Sequence, residues 1–316
     1  MLNILFVIIG IVLVLWGADR MTDGAVALAE RMNIPQIVIG LTVVAMGTSM
    51  PEFFVSLVSA VRGTPDLAVG NVVGSNIMNT LLIVGVAALV APLIISHETV
   101  KKDIPFAVGA SLLLTLLSID SDISRLDAAL LTAGFLFFMY YTLRMAKRDL
   151  DSDTNLDESA PKEYSVLKSV CLVALGLACL VGGSNLFVEG ATQIAAALGV
   201  SQAVIGLTVV AGGTSLPELA TSVVAARKGR SAIAIGNVIG SNVFNILMIL
   251  GITGLVCPMQ MQGITAVDFA VLMVSILLMW LFSSTKLKVE RWEGAWLVGI
   301  MVCYMAWLIW QATAVG

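Results

Sequence analysis

Long apolar runs broken by short polar clusters dominate this chain, and most of its charges gather at the breaks. A membrane-crossing helix needs about 20 mostly apolar residues, and the pattern offers such stretches throughout. The first half shows them at about 2–29, 36–61, 67–93, 104–119 and 127–145. The second half shows them at about 166–196, 202–226, 231–257, 264–283 and 292–312. Pro or Gly residues interrupt the second and third stretch of each half. The expected fold is therefore an all-α polytopic membrane protein with ten transmembrane helices. The apolar run Met1–Trp16 has no Lys or Arg before it, so it reads as a retained first span and not as a signal peptide.

Composition supports this reading. Of 316 residues, 59% are hydrophobic and 12% charged, about half the charge of a soluble domain. A soluble enzyme is thereby excluded, and no basic face suggests a nucleic-acid partner. The bilayer itself is the expected surrounding. The net charge of −4 comes from few charges overall and points to no particular partner. Cys171, Cys179, Cys257 and Cys303 sit in apolar stretches without metal-ligand spacing, and His97 stands alone in a charged loop. These read as packing and surface residues.

An internal repeat organises the whole chain. Residues 40–52 read GLTVVAMGTSMPE and residues 206–218 read GLTVVAGGTSLPE, with eleven of thirteen positions identical at an offset of 166. At the same offset, AVGNVVGSNIMNTLL (68–82) matches AIGNVIGSNVFNILM (234–248). The chain thus divides into a first five-helix repeat (1–145), a polar loop (146–165) and a second five-helix repeat (166–316). Five is odd, so homologous halves must enter the membrane from opposite sides. With the N-terminus outside, fourteen of seventeen Lys and Arg residues fall on the cytoplasmic side, including the polar loop. Both termini are then extracytoplasmic. Inverted repeats with interrupted helices are the pattern of secondary transporters, whose site lies near the midplane where the repeats meet.

Buried acids in a membrane are costly and mark function. Glu52 and Glu218 occupy equivalent positions, each flanked by apolar runs near the middle of a span. Pro51 lacks an N–H and frees the Gly47 carbonyl, and Pro217 does the same for Gly213. Ala45, Thr48, Ser49 and Glu52 share a helix face by their spacing, as do Ala211, Thr214, Ser215 and Glu218. Asn71, Ser75 and Asn79 form a second polar stripe, repeated as Asn237, Ser241 and Asn245. Carboxylates and neutral oxygens without thiolate or imidazole suit Ca2+ or Na+ and argue against zinc or copper. Gly70 with Gly74, and Gly236 with Gly240, read as close helix packing.

The duplicated GLTVVA-x-GTS-x-PE and GN-V-x-GSN motifs resemble the paired repeats of the cation/calcium exchanger superfamily. The likeness is greatest to bacterial calcium/sodium antiporters and the potassium-dependent sodium/calcium exchangers. It implies a multi-pass protein of the bacterial inner membrane that moves Ca2+ against Na+, with K+ as a further candidate ion and no cofactor. It implies alternating access by sliding of the first and sixth spans over the others. The implied ligands are Ala45, Thr48, Ser49, Glu52, Ser75, Asn79, Ala211, Thr214, Ser215, Glu218, Ser241 and Asn245. Where some relatives place Asp, this chain has Asn245, leaving two carboxylates in the cluster. The central loop is also too short for the cytosolic calcium-sensing domains of animal exchangers. A proton/calcium antiporter of the same fold is the first alternative. An intramembrane enzyme is the second, and the spans contain no paired Asp, Ser–His arrangement or metal motif for it.

Overall fold

The structure, a computed structural model, describes residues 2–152, 164–198, 209, 211–261 and 263–314. Most of the polar loop, the expected start of the seventh span and the Ala211 side chain lie outside the described residues. The chain begins with α1 (Leu2–Met32), followed by α2 (Gln36–Thr48) and α3 (Met50–Val61), which meet at a bend of 46°. Next come α4 (Pro65–Val90), strand β1 (Leu93–Ile94), α5 (Ile104–Leu117), β2 (Asp122–Ile123) and α6 (Arg125–Ser152). The second half contains α7 (Val166–Ala197), the short α8 (Ala211–Thr214), α9 (Leu216–Arg227) and α10 (Ser231–Val256). It continues through β3 (Met259–Gln260), α11 (Ala266–Thr285), β4 (Lys288–Val289) and α12 (Arg291–Ala314).

Seven of these helices are long and apolar enough to cross a membrane, and the bent α2–α3 pair makes an eighth. The helix of the expected fourth span starts earlier than the pattern suggested, because it runs unbroken from His97 through a π-turn at Thr99–Asp103 into α5. α6 instead runs past the expected membrane end at 145, since nothing before Ser152 breaks a helix.

Burial divides the helices into a core and a periphery. The most apolar stretch of α10 is 100% buried and that of α4 is 72% buried, whereas α1 and α12 bury only 22% of theirs. Polar residues on α10 therefore meet protein on every side. Gly236 and Gly240 let α10 approach α2, for a Cβ on Gly240 would lie 2.6 Å from the Leu41 carbonyl oxygen. Gly70 and Gly74 make no such approach among the described residues.

The outer helices α1 and α7 run antiparallel in close contact. Gly10, Gly17 and Gly24 recur at intervals of seven and face Gly183, Gly176 and Ser169. A Cβ on Gly17 would lie 2.7 Å from the Gly176 carbonyl oxygen, so only hydrogen fits there. Such backbone-to-backbone contact gains dispersion energy that larger residues would forbid.

Two-residue strands tie the halves together. β1 pairs antiparallel with β4 (Leu93 opposite Val289), and β2 with β3 (Ile123 opposite Met259). At the offset of 166, β3 is the equivalent of β1 and β4 the equivalent of β2.

The rims of α1 and α7 differ. Lys228, just past α9, donates to Asp19 (2.6 Å) and Asp23 (2.7 Å) on α1. The repeat-equivalent residues are Arg62, Asn185 and Glu189. Among the described residues, no ion pair joins Arg62 to Glu189.

Candidate cation site

The bend between α2 and α3 falls at Ser49, whose φ of −81° and ψ of 4° lie outside the helical range. Pro51 sits in the first turn of α3, where its missing N–H costs nothing. Ser215 repeats this conformation (φ −88°, ψ 6°) ahead of Pro217 in α9. Each break turns a serine hydroxyl and the following glutamate toward the other half. Local sequence thus dictates the break, and the opposite repeat receives its side chains.

Glu52 and Glu218 are each 1% exposed. Ser215 donates to Glu52 Oε1 (3.1 Å), and Ser49 donates to Glu218 Oε1 (3.0 Å). Each carboxylate is therefore held by the serine of the opposite repeat. Ser75 also donates to Glu52 Oε1 (3.4 Å), and Ser215 to Ser75 (3.2 Å). Thr48 crosses over as well, donating to Asn237 Oδ1 (3.0 Å). No cationic side chain pairs with either carboxylate among the described residues.

Around the carboxylates, several buried oxygens have no hydrogen-bond partner: Glu52 Oε2, Glu218 Oε2, Asn79 Oδ1, Asn245 Oδ1 and Ser241 Oγ. All belong to the predicted ligand set. Lone pairs so deeply buried are costly unless something electropositive meets them. Carboxylate, amide and hydroxyl oxygens together suit a hard cation such as Ca2+.

Not every predicted residue plays the same part. Glu52, Ser75 and Ser215 are joined by hydrogen bonds, Ser49 bonds to Glu218 and Thr48 to Asn237, whereas Asn79 and Asn245 bond to Asn242 and Asn76. Ser241 is fully buried yet unpartnered, unlike its equivalent Ser75. Ala45 is buried, and its carbonyl accepts from Thr48 (3.3 Å) inside the helix. Thr214 is half-buried at the end of α8, and Ala211 contributes backbone at its start. Asn71 and Asn237 do not reach the carboxylate oxygens. Asn71 donates to the main-chain carbonyl of Glu52 (3.2 Å) and to Ser56 (3.0 Å), and Asn237 does likewise to Glu218 and Ser222.

Two asparagines lie outside the predicted set. Asn76 and Asn242 are buried beside Asn79 and Asn245 and bond to them across the repeats. Their signal in the sequence was the duplicated GSN triplet itself, a second amide on a span in both halves. Asp19 and Asp23 were likewise unremarked until Lys228 met them.

Comparison with known proteins agrees with this chemistry. The family model described as sodium/calcium exchanger protein matches residues 2–144 and again 168–310. CaxA of Alkalimonas amylolytica is 38% identical over 307 residues, covering 95% of this chain and 96% of that protein. The sodium/calcium exchanger MaX1 of Methanosarcina acetivorans is 33% identical over 344 residues, covering 97% of each. Among solved structures, the sodium-calcium exchanger NCX_Mj superposes with a TM-score of 0.84 at 31% identity, covering 97% of this chain and 98% of that one. This chain belongs to the sodium/calcium exchanger family of multi-pass membrane transporters.

Proposed function

We propose that this chain exchanges Ca2+ for Na+ across the cell membrane by alternating access, with Glu52 and Glu218 at the head of its ion site. The observation that carries this reading is the set of unpartnered, buried oxygens on both glutamates, Asn79, Asn245 and Ser241. One Ca2+ or two Na+ neutralises the two carboxylates, so either cargo leaves the filled site without net charge. Without cargo, two buried charges remain, each costing several kcal/mol. Occlusion of the bare site is thereby disfavoured, which makes the protein an exchanger and not a leak. Thr48, Ser49, Ser75, Thr214, Ser215 and the carbonyls of Ala45 and Ala211 complete the proposed ligand shell. Isotopic Ca2+ uptake into proteoliposomes, with and without a Na+ gradient at fixed pH, tests the reading. Flux driven by a pH gradient and indifferent to Na+ would identify a proton/calcium antiporter instead. Adding K+ to either side tests the further candidate ion.

The proposed topology is ten spans in two inverted repeats. One expected span, containing α5, separates β1 from β2, so these strands lie at opposite membrane faces. β3 is the equivalent of β1 yet pairs with β2, which supports opposite insertion of the two halves. The antiparallel packing of α1 on α7 supports it again. The Lys and Arg bias then sets both termini outside. A single cysteine introduced as Asp153→Cys, with the four native cysteines replaced, should resist an impermeant thiol reagent in intact cells. Ready labelling would refute the orientation.

The unequal rims support alternating access. In this reading Lys228 holds α1 at the cytoplasmic rim, and Arg62 meets Glu189 when the opposite rim closes. Part-exposed ion pairs contribute about 1 kcal/mol at most, roughly a fivefold change in a two-state balance. Lys228→Gln should therefore raise the apparent KM for Ca2+ on the outer face and lower it on the cytoplasmic face. Arg62→Gln should do the reverse. Shifts of the same sign in both variants would show that the rims do not exchange.

A further inference from the structure

We infer that Asn76 is a positioning residue that aims the amide of Asn245 at the transported cation. The inference rests on the exchange reading above and adds to it how neutral ligands are oriented. An asparagine side chain offers one carbonyl oxygen and one NH2, and only the oxygen can ligate a cation. The two ends are alike in shape, so a free amide turns either one toward the ion. Something must decide.

The deciding contact is a main-chain carbonyl. Asn76 Nδ2 donates to the Asn242 main-chain oxygen (3.2 Å), a group that only accepts. This orients the Asn76 amide and turns its Oδ1 toward Asn245. Asn245 Nδ2 donates to that Oδ1 (3.0 Å), which leaves Asn245 Oδ1 buried and unpartnered. In the other direction Asn79 Nδ2 donates to Asn242 Oδ1 (3.0 Å) and leaves Asn79 Oδ1 unpartnered, but Asn242 Nδ2 has no partner among the described residues, so no main-chain contact orients that second amide. All four residues are at most 1% exposed.

Groups that orient metal ligands typically control affinity by about ten- to a hundredfold when removed. Asn76→Leu keeps the branching at Cγ but removes the acceptor, so Asn245 is free to present Nδ2 to the ion. In proteoliposomes, the expected result is an apparent KM for Ca2+ raised about tenfold with maximal flux little changed. In an Asn245→Ala background, Asn76→Leu should add nothing further, because its target is gone.

An unchanged KM in Asn76→Leu, with normal sodium-driven flux in the parent, would overturn this inference alone. A rise that persists in the Asn245→Ala background would also overturn it, because Asn76 would then act by another route. Absence of sodium-driven flux in the parent would overturn the exchange reading first. Should Asn76→Leu fail to insert, Asn76→Ser, whose hydroxyl is too short for the same contact, takes its place with the same expected rise.

Discussion

Glu52→Gln and Glu218→Gln should each abolish sodium-driven Ca2+ transport while leaving the protein inserted and monodisperse. Glutamine matches the volume of glutamate, so packing is preserved and only the charge is lost. With one carboxylate left, a bound Ca2+ keeps an uncompensated positive charge in a buried site. Removing one partner from a buried charge pair costs about 3–5 kcal/mol, or about two to nearly four powers of ten in affinity. Both variants also change the hydrogen bonding, since Ser215 and Ser49 donate to the oxygens being altered. The measurement is isotopic Ca2+ uptake against a Na+ gradient, with Ca2+ binding to the detergent-solubilised protein as a second readout. Near-normal flux in either variant would remove the glutamates from the ion site. Thr48→Val should be milder, because it removes only a hydroxyl, one that donates to Asn237, and keeps the Thr48 backbone carbonyl.

The contact between α1 and α7 carries the second large effect. A Cβ on Gly17 would sit 2.7 Å from the Gly176 carbonyl oxygen and 3.0 Å from the Leu180 backbone nitrogen. Neither neighbour is a flexible side chain, so the helices must separate. Overpacking of this kind costs about 1–3 kcal/mol for small additions. Gly17→Ala should accordingly lower the melting temperature in detergent by roughly 2–5 °C, and Gly17→Leu should yield no monodisperse protein. Gly109→Leu is the control, since a Cβ there has nothing within 4 Å among the described residues. Equal behaviour of Gly17→Leu and Gly109→Leu would show that α1 and α7 do not pack as described.

The largest features were legible without coordinates. A repeat at a constant offset and two acids inside apolar runs are one-dimensional facts, and each has a single physical meaning in a membrane. Pro51 and Pro217 announce their breaks because a missing N–H acts within its own helix. For the same local reason, the oxygen chemistry of the site could be read as suited to a hard cation.

Helical periodicity led to Asn79 and Asn245 but passed over Asn76 and Asn242. Spacing selects one face of a helix, and adjacent residues point about 100° apart. That logic works where one face is buried and the other is not. α10 is buried on every side, so its faces all have partners and spacing cannot rank them.

Amino-acid order by itself determined the membrane fold, the duplication, the breaks and which acids lie inside the spans, because these follow from solvent preference and backbone chemistry within single segments. Tertiary structure alone decided that each glutamate is held by the opposite repeat's serine and that Ser241 stays unpartnered while Ser75 does not. It also decided that Lys228 finds Asp19 and Asp23 while Arg62 and Glu189 stay apart. Equivalent residues in a duplicated sequence carry the same chemistry. Hydrogen bonds and ion pairs depend on distances of about 3 Å between segments far apart in the chain, and those distances are set only when the helices pack.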